Sequence, residues 1–457
     1  MVTHENLDLV FQVRTLAGQY LEFLEKFKAA RKGQLGAMKN LRTIILAAGK
    51  GTRMKSDVPK VLHEVCGRAV IEYVIDVARA AGSLKTYIVL GHKMDEVKEH
   101  LEEDLIVVAQ KKLLGTADAV RSAEKYFRNF NGDVLILCGD TPLLHSATIK
   151  NIVNKHRRSR AACTFLTAVV HNPQGYGRII RGEQGPVVAI REDKDAEGLE
   201  RNIAEINVGV YCFQSKFLFQ ALKEVKLNPK KREFYLTDTI ENFSQKNLKI
   251  ETVETLEPVE GMGINTKEDL AITQDAMRQR ILRDFMLQGI TVVDPATTYI
   301  DASVKIGQDT VIKPFTFIEG NVRIGRRCKI GPFARLRPGT RIGNNVEVGN
   351  FTEVSRTKVG HHTLVKHFSF LGDAVIGSRV NIGAGTVTAN FDGTNKNTTQ
   401  ILDQAFIGSD SILVAPVKIG TRAVTAAGSV ITRGKNVPDG SVAMGVPAVI
   451  TSRRNIS

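Results

Sequence analysis

The chain has 457 residues, enough for two or three domains, and its 43% hydrophobic content can fill large cores. No apolar run approaches the ~18 residues of a membrane span. An excess of 63 basic over 48 acidic residues, net +15, points to anionic partners. There is no nucleic-acid module and no long Lys/Arg block, so small polyanionic substrates fit that charge better than nucleic acid or a membrane. The cysteines Cys66, Cys138, Cys163, Cys212 and Cys328 are scattered, odd in number and without a C-x-x-C pair. Neither a zinc site nor a disulfide framework is indicated. With no signal peptide either, the expected location is cytoplasmic.

In residues 1–37, Val10, Val13, Leu16, Tyr20, Leu24 and Phe27 recur at helical spacing and predict an amphipathic helix over about 6–31. This segment is either an added helix or the product of a start assigned ahead of Met38. A nucleotide-handling domain is expected over 38–265. Arg42-Thr43-Ile44-Ile45 reads as a buried strand that runs into Leu46, Ala47, Ala48, Gly49, Lys50, Gly51, Thr52, Arg53 and Met54, with Pro59 and Lys60 downstream. The glycines clear side chains from the turn so that successive N–H groups can face a phosphate. Lys60 adds a point charge. The loop lacks Walker A spacing, and Met54 stands where a dinucleotide fingerprint needs its third glycine. An ordinary βα turn explains the glycines but not their coincidence with Arg53 and Lys60.

Further strands are predicted at 87–90, 106–108 and 134–137, separated by helical or polar stretches such as 69–81. The alternation predicts an α/β, Rossmann-like domain with a mostly parallel sheet and ligands beyond the carboxyl ends of its strands. Asp140 follows one such end and is placed to bind the Mg²⁺ of a triphosphate. A plain turn Asp is the simpler use, but the glycine turn in the same sheet favours the metal. Residues 266–289 predict a connecting helix.

Over 290–457 the period changes. Ile300, Ile306, Ile312, Ile318, Ile324, Ile330, Leu336, Ile342, Val348 and Val354 recur every six residues. The series resumes after slips at Val359 and Ile376, and again from Ile407 to Val437. This is the hexapeptide repeat of a left-handed parallel β-helix, with residues 389–406 expected as an external loop.

The first loop resembles the signature of the sugar-nucleotide pyrophosphorylases. Gln110 with Leu114-Gly115-Thr116-Ala117, Gly175-Tyr176-Gly177-Arg178, Glu192, Asn207, Thr237 and Gly261 to Asn265 narrow the resemblance to the N-acetylglucosamine-1-phosphate uridylyltransferases. That resemblance implies uridylyl transfer from UTP to N-acetylglucosamine 1-phosphate. It places Lys60 and Arg53 at the reacting phosphates, Gln110, Gly115 and Thr116 with the backbone loop at the nucleotide, and Gly177, Glu192, Asn207 and Thr237 at the sugar. Asp140 and Asn265 would bind Mg²⁺.

The second half resembles the acetyltransferase part of the bifunctional members of that family. Arg335-Leu336-Arg337-Pro338-Gly339, His367, Asn381-Ile382-Gly383-Ala384-Gly385 and Asn390-Phe391-Asp392-Gly393 carry the likeness. It implies a homotrimer in which His367 is the base for acetyl transfer from acetyl-CoA to glucosamine 1-phosphate. Arg337, Asn381, Ala384, Asn390, Phe391, Ser409 and Ala427 would hold the substrates. The chain departs from the family at Ser355, where a Lys is usual, and at Phe370 and Phe391, where tyrosines are usual. Its ending, Ala443-Met444-Gly445-Val446-Pro447, lacks an Arg. A structural β-helix behind a single-activity enzyme, or a regulatory subunit, would be compatible with those departures.

Overall fold

The computed structural model describes residues 40–452, and the helix predicted over 6–31 lies outside them. The chain divides into two compact units. Of the described residues, one contains 40–63 and 69–270, the other 64–68 and 271–452.

The first unit is built on one sheet. Its strands are β1 (Leu41–Ala47), β2 (Thr86–Leu90), β3 (Ile106–Ala109), β4 (Asp133–Cys138), β5 (Cys163–Val169), β6 (Gly177–Arg181), β7 (Val187–Arg191), β8 (Glu205–Gln214) and β9 (Ile250–Glu254). The order is β9-β5-β8-β4-β1-β2-β3, with the β6–β7 hairpin joined to β8. Strands β4, β1, β2 and β3 run parallel, whereas β8 runs antiparallel to both β4 and β5. The apolar run of β4 is buried on both faces because helices cover both sides. Leu135 and Leu137 join a core with Ile71, Val74 and Ile149, while Val134 and Ile136 join a second with Val120, Leu218 and Phe243.

The parallel pairing of β1 with β4 matters most for function. It brings the loop after Ala47 and the residues after Cys138 to the same edge of the sheet, where Gly139 N bonds to Leu46 O at 2.9 Å. A Cβ on Gly139 would lie 3.0 Å from Ala47 Cβ, so small residues at both positions let these two strand ends close up.

The second unit is a left-handed β-helix of three sheets, parallel throughout except where Ala448–Ser452 closes one of them antiparallel to Ser441–Gly445. Ile300 stacks on Ile318, Leu336, Val354 and Leu371 in turn. The predicted aliphatics form one continuous core. The corners are held by buried hydroxyls: Thr310, Thr340, Thr357 and Thr363 donate to carbonyls of the next coil at 2.8 to 3.1 Å. The excursion expected over 389–406 is shorter. Thr399–Ile401 already pairs with Ala374–Ile376, and Ile401 is fully buried. Ile401 lies six residues before Ile407, so the period itself marked the return. The long helix Lys267–Leu287 precedes the first coil.

Candidate active sites

The glycine turn closes as a single 3-10 turn over Thr52–Met54, with Gly51 in the left-handed region at φ 61°. A Cβ on Gly51 would come 2.9 Å from Lys60 Cβ, whereas one on Gly49 would meet nothing within 4 Å. Gly51 is therefore needed for the turn itself, and Gly49 borders open space. The turn's own bonds run from Met54 N to Gly51 O and from Lys55 N to Thr52 O, leaving the amides ahead of them out of it. An anion can be cradled there.

Four predicted residues meet beside this turn. Lys60 Nζ bonds to Asp140 Oδ2 and lies 3.3 Å from Asn265 Oδ1. Arg53 Nη2 donates to the same Asn265 oxygen at 2.9 Å. Ile264 N bonds to Asp140 O at 3.0 Å, and Asn265 Nδ2 donates to Gly263 O at 3.2 Å, which turns the amide oxygen toward Lys60. A carboxylate oxygen and an amide oxygen from distant parts of the chain thus converge on one cationic point. That hard-oxygen donor pair fits Mg²⁺.

Asp269 was missed in the sequence. Its carboxylate accepts from the backbone amides of Asn265 and Thr266 at 2.9 and 2.8 Å, and Thr266 Oγ1 accepts from Asp269 N at 3.1 Å. This is a capping box, and Thr266-Lys267-Glu268-Asp269 was its legible signal.

The residues expected at the nucleotide gather separately. Gln110 is buried, and its Nε2 donates to Asp118 Oδ2 at 2.8 Å and to Gly115 O at 3.2 Å. Both amide hydrogens are then used, which leaves Oε1 as an acceptor. Gly115 sits at φ 98°, and a Cβ there would come 2.6 Å from Phe234 O. Thr116 Oγ1 accepts from Leu236 N at 2.9 Å, fastening this loop to the segment that carries Thr237.

Among the residues expected at the sugar, Thr237 Oγ1 donates to Glu192 Oε1 at 2.8 Å, and Gly177 pairs with Asn207 across β6 and β8. Asn207 Nδ2 donates to the Tyr211 hydroxyl at 2.6 Å. Burial raises the Glu192 carboxyl above its ordinary range, against the opposing Thr237 bond. Burial first, then Glu192, raises the neighbouring Asp238 to about 6. Burial also raises the Cys138 thiol to about 12, with Asp140 adding to it. That thiol is a packing group rather than a nucleophile.

The second set lies on the β-helix. His367 is exposed at a corner followed by the strand Ser369–Gly372. The coils beyond it continue the same corner: Gly385 N bonds to Phe368 O, Asp410 N to Ala384 O, and Gly428 N to Ser409 O, at 2.6 to 2.8 Å. His367, Ala384, Ser409 and Ala427 therefore form a column. Asn381 lies on the side leading to it. Arg337 and Asn390 stand at the opposite end of the His367 face, where Arg337 Nη1 donates to Glu353 Oε1 at 2.9 Å. Ser355 is fully buried, and Phe391 is 60% exposed.

A nucleotidyltransferase sheet followed by a hexapeptide β-helix defines a two-part transferase. The nucleotidyl transferase family model matches residues 42–256. The bacterial transferase hexapeptide model matches 303–338 and 321–356, and the model for the hexapeptide repeat of succinyl-transferase matches 401–433. The chain is 45% identical over 422 residues to "Bifunctional protein GlmU" of Shouchella clausii, covering 85% of this chain and 93% of that protein. For the protein of the same name in Pelotomaculum thermopropionicum the identity is 45% over 412 residues, covering 83% and 90%. For that of Clostridioides difficile it is 41% over 440 residues, covering 89% and 95%.

The chain belongs to the GlmU family of bifunctional proteins. It is an enzyme of UDP-N-acetylglucosamine synthesis with uridylyltransferase and acetyltransferase activities.

Proposed function

We propose that the cluster of Lys60, Arg53, Asp140 and Asn265 is the uridylyl-transfer site, and that the column headed by His367 is the acetyl-transfer site. The convergence of Lys60 and Arg53 on Asp140 and Asn265 carries the first assignment. The amides of the Gly49–Arg53 turn and the two cations hold the triphosphate of UTP. Gln110 offers Oε1 to a base N–H. Glu192, Asn207 and Thr237 hold the N-acetyl sugar, whose phosphate oxygen attacks the α-phosphorus in line and displaces pyrophosphate. The side chains do no covalent work; they position the reactants and neutralise charge. Mg²⁺ on Asp140 and Asn265 supplies further charge stabilisation at the phosphates.

At the second site the His367 imidazole takes a proton from the amine of glucosamine 1-phosphate as that nitrogen attacks the thioester of acetyl-CoA. The Ala384, Ser409 and Ala427 column lies where the long coenzyme can run along the coils. We assign the exposed ladder of Phe315, Phe333 and Phe351 to a subunit interface in a homotrimer. Its rings stack with centroids 4.8 Å apart, and such a continuous apolar stripe favours burial. A cytoplasmic location completes the reading. The cysteines are free, and no described helix is long and apolar enough to cross a membrane.

Purified full-length protein tests both assignments. UTP with N-acetylglucosamine 1-phosphate should release pyrophosphate in an EDTA-sensitive way, and acetyl-CoA with glucosamine 1-phosphate should release free CoA without added metal. His367→Ala should abolish only the second activity. Loss of both, or of neither, refutes the assignment of His367.

A further inference from the structure

The acceptor of acetyl transfer carries a phosphate, so the His367 face needs a cation to receive it. Several cations on or near this face are each held by a single contact to one carboxylate, which leaves the charged group free to turn: Arg335 with Glu319 at 2.7 Å, Arg337 with Glu353 at 2.9 Å, and Lys366 with Glu347 at 3.6 Å. Arg356 is held differently. Its Nε and Nη2 donate to the two oxygens of Asp373 at 2.6 and 2.8 Å, and its Nη1 donates to Ser355 Oγ at 2.8 Å. Asn390 Nδ2 bonds to the same Asp373 oxygen as Arg356 Nη2.

Three successive coils thus place Arg356, Asp373 and Asn390 in one hydrogen-bonded column. This column lies at the far end of the Ser369–Gly372 strand from His367. A guanidinium has five N–H donors. Three are used here, leaving two on the nitrogens of its exposed tip. On the coil before, Gly339 occupies the same corner, and even a Cβ there would lie 3.3 Å from Arg356 Cγ. No side chain therefore covers Arg356 from that coil. A planar fork held by a carboxylate along one edge, with donors free on another, is suited to a phosphate.

We propose that Arg356 is the cation that receives the phosphate of the acceptor sugar at the acetyl-transfer site, and that Asp373 is its positioning residue. The inference rests on the reading of the His367 face as that site. Asp373 fixes the guanidinium plane and ties it to Asn390, so one carboxylate orients both groups toward the same substrate. Ser355 is the third support of the fork and is too short and too buried to reach a ligand itself.

The test uses the full-length protein and two acceptors, glucosamine 1-phosphate and unphosphorylated glucosamine, with CoA release as the readout. Arg356→Ala should raise KM for glucosamine 1-phosphate by about tenfold to a hundredfold, the scale of one charge-assisted contact. It should change kcat and the KM for acetyl-CoA by less than about threefold. It should leave kcat/KM for glucosamine unchanged. Arg356→Lys should recover part of the loss, and Asp373→Asn should give an intermediate KM. An equal loss on both acceptors, or no loss on either, overturns the proposal.

Calorimetric binding of glucosamine 1-phosphate, with UDP-N-acetylglucosamine saturating the first site, separates the two levels of inference. Wild-type protein that releases no CoA refutes the acetyl-site reading. Phosphate-dependent binding that is lost in Arg356→Ala still supports the assignment of Arg356, and binding that survives in the variant overturns it.

Discussion

Lys60 occupies the point on which the Asp140 and Asn265 oxygens converge, so it competes for the donors assigned to Mg²⁺. Removing it should have two separable effects. Lys60→Ala should lower kcat for uridylyl transfer about 10²–10³-fold, the usual loss for one preorganised donor at a developing charge. The variant should bind Mn²⁺ at least as tightly as wild type in a spectroscopic titration, because the competing ammonium is gone. Weaker Mn²⁺ binding would argue against competition. Asp238 gives a second prediction at this scale. Its carboxyl is raised to about 6 by burial and by Glu192, so the folded state favours the protonated form. Its contribution to stability is therefore full at pH values below its unfolded pKa and falls away as pH rises through about 6. Asp238→Asn should raise Tm more at pH 8 than at pH 5, and equal shifts at both would refute this. Among the residues themselves, Lys60 and Asp140 could be nominated from residue type beside the glycine turn and a strand end, whereas Gln110 and Glu192 were nominated through the family resemblance. Asp118 and Asp373 were not, because a supporting carboxylate acts through a neighbour that only folding supplies.

The elements show where periodic pattern suffices. Strand β4 and the hexapeptide aliphatics were readable because burial on a regular lattice repeats in the sequence. The antiparallel run of β8 was not, since an apolar strand reads the same in either direction. The corners of the β-helix were equally hidden, although they carry its polar bookkeeping. Thr357 is fully buried, shares its one hydroxyl proton between Ser355 O and Leu371 O at 2.9 and 3.1 Å, and accepts from Ala374 N at 3.1 Å. Thr357→Val keeps the shape but leaves those backbone groups short of a partner. It should cost about 1–3 kcal/mol in a reversible denaturation of the protein. A loss much below that range would mean that water replaces the hydroxyl.

At the scale of the whole molecule, each unit keeps its own core, and the proposed assembly depends on the second. The Phe315, Phe333 and Phe351 rings are 47%, 43% and 63% exposed. A charge at the middle rung should be incompatible with burying that stripe in another subunit. Phe333→Glu should shift the protein from trimer to monomer in sedimentation velocity, with uridylyl transfer retained. An unchanged trimer would place the interface elsewhere. The sequence by itself determined the two-part architecture, the glycine turn after the first strand and the coil repeat, because each is written in local spacing and residue type. Only the tertiary structure decided that Arg53, Lys60, Asp140 and Asn265 share one point, and that Arg356, Asp373 and Asn390 share one corner. Such meetings follow from strand register and coil stacking, in which residues distant along the chain become neighbours through backbone pairing that no short stretch of sequence records.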